Sequence, residues 1–141
     1  FAAVSNEVGG SDTDADNGAD LFSAAKARWY HSRARTGITQ LTWCPSSQYL
    51  LYSASRRSDA VLCWDLRALS GDAARPIAAI GSFQRPGDTN QRLEFDLDTA
   101  GKRLYACGSD GAVRIYDTGA GRRLEGMIEG FEDVPNGVSF C

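Results

Sequence analysis

Sliding the chain on itself by 52 positions superimposes residues 37–65 on residues 89–117 without a gap, and this internal repeat restricts the fold more than any other feature. Leu41/Leu93, Ala54/Ala106, Ala60/Ala112, Val61/Val113 and Asp65/Asp117 are identical across the two copies. Two aromatic marks recur 21 residues apart, Trp43 and Trp64 in the first copy and Phe95 and Tyr116 in the second. Within each copy, short runs rich in β-branched and aromatic residues alternate with polar turns such as PSSQ and RRSD, the spacing of an antiparallel meander. Each copy is therefore predicted to form a four-stranded sheet. Its strands lie near 37–43, 49–55, 60–66 and 76–83 in the first copy and near 91–97, 103–108, 112–117 and 122–130 in the second, with RALSGDAAR as a linker. A third start is read at NGVSFC, where Phe140 and Cys141 correspond to Trp43 and Cys44.

Both copies close their third strand on an aromatic-Asp pair, Trp64-Asp65 in CWDLR and Tyr116-Asp117 in RIYDT. Repeats of about 40–50 residues with that ending are the sequence sign of a WD-type β-propeller. The expected fold is all-β: a partial WD-repeat β-propeller of about two complete four-stranded blades plus the start of a third. A blade that is apolar on both faces cannot bury both alone, so neighbouring blades supply its core. The hydrogen-bond cluster usual in such blades joins a His, a Ser or Thr, the Trp and an Asp. The first copy offers Ser53, Asp59 and Trp64, while the second offers Asp110 and puts Tyr116 where Trp is expected, so a partial cluster is predicted. Gly111 suits the positive φ that a Ser-Asp-Gly turn needs. Because the chain opens on Phe1 and stops at Cys141 in mid-pattern, it is read as an open arc of a longer protein.

Charge separates residues 1–28, an acidic Gly/Asp-rich loop or insertion, from the partial propeller at 29–141, with repeats at about 37–83 and 89–130 and a third from about 136. The overall formal charge is -3, without the strong basic excess of a nucleic-acid coat. Asp12, Asp14 and Asp16 imitate the start of a calcium loop, but Asn17 and Ser23 stand where its Gly and bidentate Glu belong, so no metal site is expected. Residues 26–35 interleave Lys26, Arg28, Arg33 and Arg35 with Trp29, Tyr30 and His31. That mixture can stack on bases and contact phosphates, but the favoured reading is an edge strand or short helix whose aromatics pack inward while its arginines stay solvated. Cys44, Cys63, Cys107 and Cys141 form no C-x-x-C pair, and three of them lie in apolar runs, so reduced core thiols are expected rather than zinc or disulfides. No apolar run approaches the roughly 18 residues of a membrane helix.

Catalytic constellations are scarce. His31 is the one imidazole, and no nucleophile elbow or phosphate loop occurs. Glu94, Asp96 and Asp98 alternate along one predicted strand and so share a face, which suits a solvated edge better than a paired acid and base. The expectation is a binding scaffold that is not an enzyme and needs no cofactor.

AVLCWDLR at 60–67, TNQRLEFDLD at 89–98, GSDGAVRIYDT at 108–118 and NGVSF at 136–140 resemble consecutive segments of the telomerase Cajal body protein family. The resemblance covers residues 37–141. It implies a noncatalytic RNA-binding propeller of a small nuclear ribonucleoprotein, with small nuclear or telomerase RNA, ribonucleoprotein proteins and other proteins as partners. It implies a nuclear location that includes the Cajal body, and neither DNA nor membrane contact. The alternative is a generic WD-repeat protein-interaction scaffold linked to pre-mRNA splicing particles. Thirteen of the fifteen basic residues are Arg, the side chain suited to bidentate phosphate contact. Arg33, Arg35, Arg56, Arg57 and Arg92 are the RNA-binding candidates, each with the competing reading of a solvated turn or structural ion pair. Arg67 is read as structural, paired with a nearby carboxylate or a backbone carbonyl.

Overall fold

A computed structural model of the chain describes residues 37–70 and 79–141. Alternating apolar positions produce eight strands. β1 (Ile38–Trp43), β2 (Leu50–Ser55), β3 (Ala60–Asp65) and β4 (Ala79–Gln84) form one antiparallel sheet in that order. β5 (Phe95–Leu97), β6 (Arg103–Cys107), β7 (Val113–Asp117) and β8 (Leu124–Ile128) form a second sheet of the same order. A short 3₁₀ helix, Leu66–Ser70, follows β3 at the head of the expected linker. The described residues are thus all-β, in two four-stranded blades.

The register corrects the ungapped alignment. Trp43 pairs with Leu51 and Leu51 with Trp64, and the same row of the second sheet is Leu97, Leu104 and Tyr116. The neighbouring row is Leu41, Ser53 and Leu62 in the first sheet and Phe95, Ala106 and Arg114 in the second. Trp64 and Tyr116 are therefore equivalent, as the repeat predicted, whereas Trp43 corresponds to Leu97 and Leu41 to Phe95. Ala54 and Ala106, identical in the linear alignment, point to opposite sides of their sheets, because a one-residue slip in a strand of period two reverses every side chain. The cause is loop length: the turns on either side of the second strand are each one residue shorter in the second copy. Both sheets share a β-bulge at the same place, between Cys63 and Trp64 and between Ile115 and Tyr116.

The main core lies between the sheets. Tyr52, Ala54, Val61, Cys63 and Phe83 of the first blade meet Phe95, Leu97, Leu104, Ala106 and Tyr116 of the second. Phe83 sits at its centre, 6.0 Å from the Tyr52 ring and edge-on to Tyr116 at 5.6 Å. Burying each such side chain contributes about 1.5–3 kcal/mol. Among the described residues the equivalent row on the other face of the first blade has no such cover: Leu41 is 56% and Trp43 55% exposed, an apolar strip of the kind a neighbouring blade covers.

Polar side chains also join the units. The Gln40 amide accepts from the Phe95 N–H at 3.0 Å and donates to the Phe95 carbonyl at 2.6 Å, so it acts as a neighbouring strand would. Asp96 ties the C-terminal segment to the second blade, accepting from the Phe140 N–H at 2.8 Å. Residues 129–141, which include the third start expected at NGVSFC, contain no strand. They lie over the far face of the second blade, where Val134 and Val138 pack on Leu93, Cys107 and Val113, and Phe140 meets the Tyr105 ring at 4.7 Å.

Cys44, Cys63 and Cys107 are free and buried, and burial pushes the Cys63 and Cys107 thiols up. The thiolate is the reactive form, so a neutral thiol-labelling reagent should leave both cysteines unmodified in the native full-length protein and modify them after denaturation. Native labelling of either as fast as that of a denatured control would contradict this packing.

Candidate nucleic-acid interface

Chain direction gathers the candidate residues. In an antiparallel a-b-c-d sheet, the turn between the second and third strands and the connection to the next blade emerge at the same end. That end holds residues 56–59, 85–94 and 108–112. These loops touch: Arg85 N donates to the Asp59 carbonyl at 2.8 Å, Gly87 N to Asp59 Oδ1 at 3.1 Å and Ser109 N to the Pro86 carbonyl at 2.9 Å.

Arg56 and Arg57 form the β2–β3 turn, and Arg57 takes a φ of 52°, the left-handed region seldom used by residues other than glycine. The Arg57 guanidinium lies 3.9 Å from Asp88, and Arg92 lies 3.3 Å from Glu94. All four side chains are well exposed, and such pairs hold loosely and are screened by salt. Arg56 has no carboxylate partner among the described residues. The fold thus brings Arg56, Arg57 and Arg92 to one end. Arg33, Arg35 and the rest of the basic-aromatic stretch, like the acidic segment, lie outside the described residues.

The repeat marks have structural partners. Trp64 Nε1 donates to Ser53 Oγ at 2.8 Å, and Asp59 receives the Gly87 amide. In the second blade the cluster is rebuilt differently. Asp110 takes both ends of the Arg114 fork, at 3.0 and 2.6 Å, and that guanidinium holds its carboxyl below the usual range. The Tyr116 hydroxyl crosses to the first blade and donates to the Gln84 carbonyl. Gly111 has a φ of 78°, as its turn requires. At the opposite end, Arg67 donates from Nε to Asp65 Oδ1 at 3.0 Å and from Nη2 to Oδ2 at 2.6 Å, with its guanidinium 5.4 Å from the Tyr49 ring centre, and Asp117 Oδ1 accepts from Gly119 N at 3.1 Å.

Of the three alternating carboxylates only Asp96 lies within β5, which spans Phe95–Leu97, and Glu94 and Asp98 flank it. Glu94 faces Arg92, Asp96 binds the Phe140 and Leu97 amides, and Asp98 Oδ1 accepts the Lys102 and Arg103 amides. Among the described residues no three His, Cys, Asp or Glu side chains are grouped to hold a metal, and no helix is long and apolar enough to cross a membrane.

Sequence reasoning missed Arg85. It is 2% exposed, and its Nη1 donates to the carbonyls of Leu93 at 3.0 Å, Cys107 at 3.3 Å and Glu94 at 3.4 Å. Burial pushes its guanidinium down to about 10. The one local signal is its place between an apolar strand and Pro86-Gly87, where the chain must pass between the blades. Two of the clefts among the described residues open at this end. One of about 380 Å³ is lined by Asp59, Gln84, Arg85, Pro86, Arg114 and Tyr116. The other, of about 430 Å³, is lined by Gln91, Arg92, Glu94, Asn136 and Gly137.

Comparison with known proteins agrees with this architecture. The chain is 38% identical to telomerase Cajal body protein 1 of Bos taurus over 109 residues, and 35% identical to that of Homo sapiens over 108 residues. Each match covers 73% of the chain and 18% of the relative. It is also 38% identical over 80 residues to the guanine nucleotide-binding protein negative regulator 1 of Schizosaccharomyces pombe, covering 57% of the chain. The chain therefore spans about a fifth of the length of the curated relatives it matches. The solved structure of U3-55K superimposes with a TM-score of 0.53 at 18% identity, over 71% of this chain and 28% of that one, which supports the fold alone. No protein-family model matches. The chain is a partial WD-repeat protein that resembles the telomerase Cajal body protein family, and none of these relatives carries an enzyme's name.

Proposed function

We propose that this chain, a partial WD-repeat propeller resembling the telomerase Cajal body protein family, is part of a noncatalytic RNA-binding scaffold of a small nuclear ribonucleoprotein. Its partners are small nuclear or telomerase RNA and the proteins of that particle, and its place is the nucleus, including the Cajal body. The observation that carries the reading is the similarity to telomerase Cajal body protein 1 along 109 residues. Three exposed arginines gathered on one rim, Arg56, Arg57 and Arg92, support it. Arginine binds phosphate through a planar fork and stacks on bases, which suits single-stranded RNA. The interface is local: a chain of formal charge -3 attracts RNA where its loops concentrate arginine.

A second reading, a WD-repeat protein-interaction scaffold linked to splicing particles, draws on the mixed sign of the same rim. Asp88, Glu94 and Asp110 stand beside the arginines. The two differ in salt dependence. Replacing Arg56, Arg57 and Arg92 with Gln in the full-length protein should weaken binding of a labelled single-stranded RNA roughly tenfold or more. It should also flatten the slope of log affinity against log salt by about 2, since each phosphate contact on a single strand contributes about 0.7. Unchanged affinity and slope would remove these arginines from the interface and favour the second reading.

A further inference from the structure

We propose that Arg85 holds one phosphate of the RNA backbone in the cleft between the two blades, an inference that rests on the RNA reading above. A buried cation is normally paired. Arg67, Arg103 and Arg114 each bind a carboxylate at 2.6–2.7 Å. Arg85 is more buried than any of them, yet among the described residues its hydrogen bonds run from Nη1 alone, to the three carbonyls. Its Nε is sealed from solvent without a hydrogen-bond partner. Its Nη2 also has none and is not sealed, which leaves one donor edge of a fixed guanidinium open to the cleft that Arg85 lines.

An anion at this edge would supply the missing counter-charge. The three carbonyls fix the fork in advance, so little side-chain entropy is lost when the anion binds. Arg114 lines the same cleft and adds positive field, with Asp110 already taken up by its fork. Asp59 lines it too, its Oδ1 held by the Gly87 amide. A phosphate is favoured over a partner protein's carboxylate because the cleft opens on the rim that carries Arg56, Arg57 and Arg92. A backbone crossing those side chains presents a phosphate at every step.

The test compares the full-length protein with its Arg85→Gln and Arg85→Lys variants, using a labelled single-stranded oligoribonucleotide across a salt series and a thermal melt of each variant. Arg85→Gln should bind about tenfold more weakly, with a salt slope shallower by about 0.7. Arg85→Lys keeps the charge but not the fork, so it should keep the wild-type slope at reduced affinity. A folded Arg85→Gln variant with wild-type slope overturns the proposal and leaves the RNA reading standing. A wild-type protein that binds no RNA overturns both. Should Arg85→Gln not fold, ultraviolet crosslinking of the wild-type protein to the same RNA decides. Adducts within 82–92 or 108–116 are expected, and adducts confined to other segments overturn the proposal.

Discussion

Phe83→Ala in the full-length protein is expected to lower the free energy of unfolding by about 3–5 kcal/mol, the range for removing a buried aromatic ring from a packed core. Phe83 is 1% exposed and sits between the Tyr52 ring of its own blade and the Tyr116 ring of the next. Two sheets resist collapse into the resulting void because Gln40 and the Tyr116 hydroxyl hold their backbones at fixed separation. Phe83→Leu should cost less, since it leaves a smaller cavity and keeps the apolar contact. Denaturant titration measures both. A loss below about 1 kcal/mol for the alanine variant would mean that the blades do not rely on this interface.

The second large effect is expected at Gly87. A Cβ there would lie 2.0 Å from the Ser58 carbonyl oxygen, a backbone atom that no rotamer change can move away. The glycine is required by this close approach of two loops. Gly87→Ala must push the 85–94 connection off the β2–β3 turn, breaking the Gly87–Asp59 and Arg85–Asp59 hydrogen bonds together. Overpacking of this kind costs about 1–3 kcal/mol. The displacement also separates Arg92 from Arg56 and Arg57, so RNA affinity should fall even at temperatures where the variant stays folded. A melt and a binding curve equal to wild type would show that the two loops do not meet.

The strands were legible because all but the three-residue β5 run over five or six residues and are bounded by polar turns, as in YLLYSAS followed by RRSD. The equivalence of Trp64 with Tyr116 was legible for the same reason, since that strand carries the repeat's strongest mark. The register of the first two strands was not. One-residue differences in turn length leave no trace in an ungapped comparison, yet each reverses the side on which a residue such as Ala54 or Ala106 is buried. NGVSFC has a strand's composition but no partner strand beyond it among the described residues, so it lies on the second blade as irregular chain.

At the rim, the sequence identified exposed arginines by their turns but not the buried one. Arg85 is chemically indistinguishable from the other twelve arginines until the fold places three carbonyls around its Nη1. Gln40 was hidden likewise: a polar residue inside ITQLTW reads as a solvated strand position, whereas its amide bridges to the next blade. Both act over distances in the chain that local patterning cannot register.

The full-length protein is expected to contact a small nuclear or telomerase RNA directly. Ultraviolet crosslinking of that protein in cells, followed by sequencing of the attached RNA, tests it most directly. Enrichment of small nuclear or telomerase RNA is predicted, reduced by the Arg56, Arg57 and Arg92 replacements. Recovery of no such RNA above the uncrosslinked background would contradict the claim.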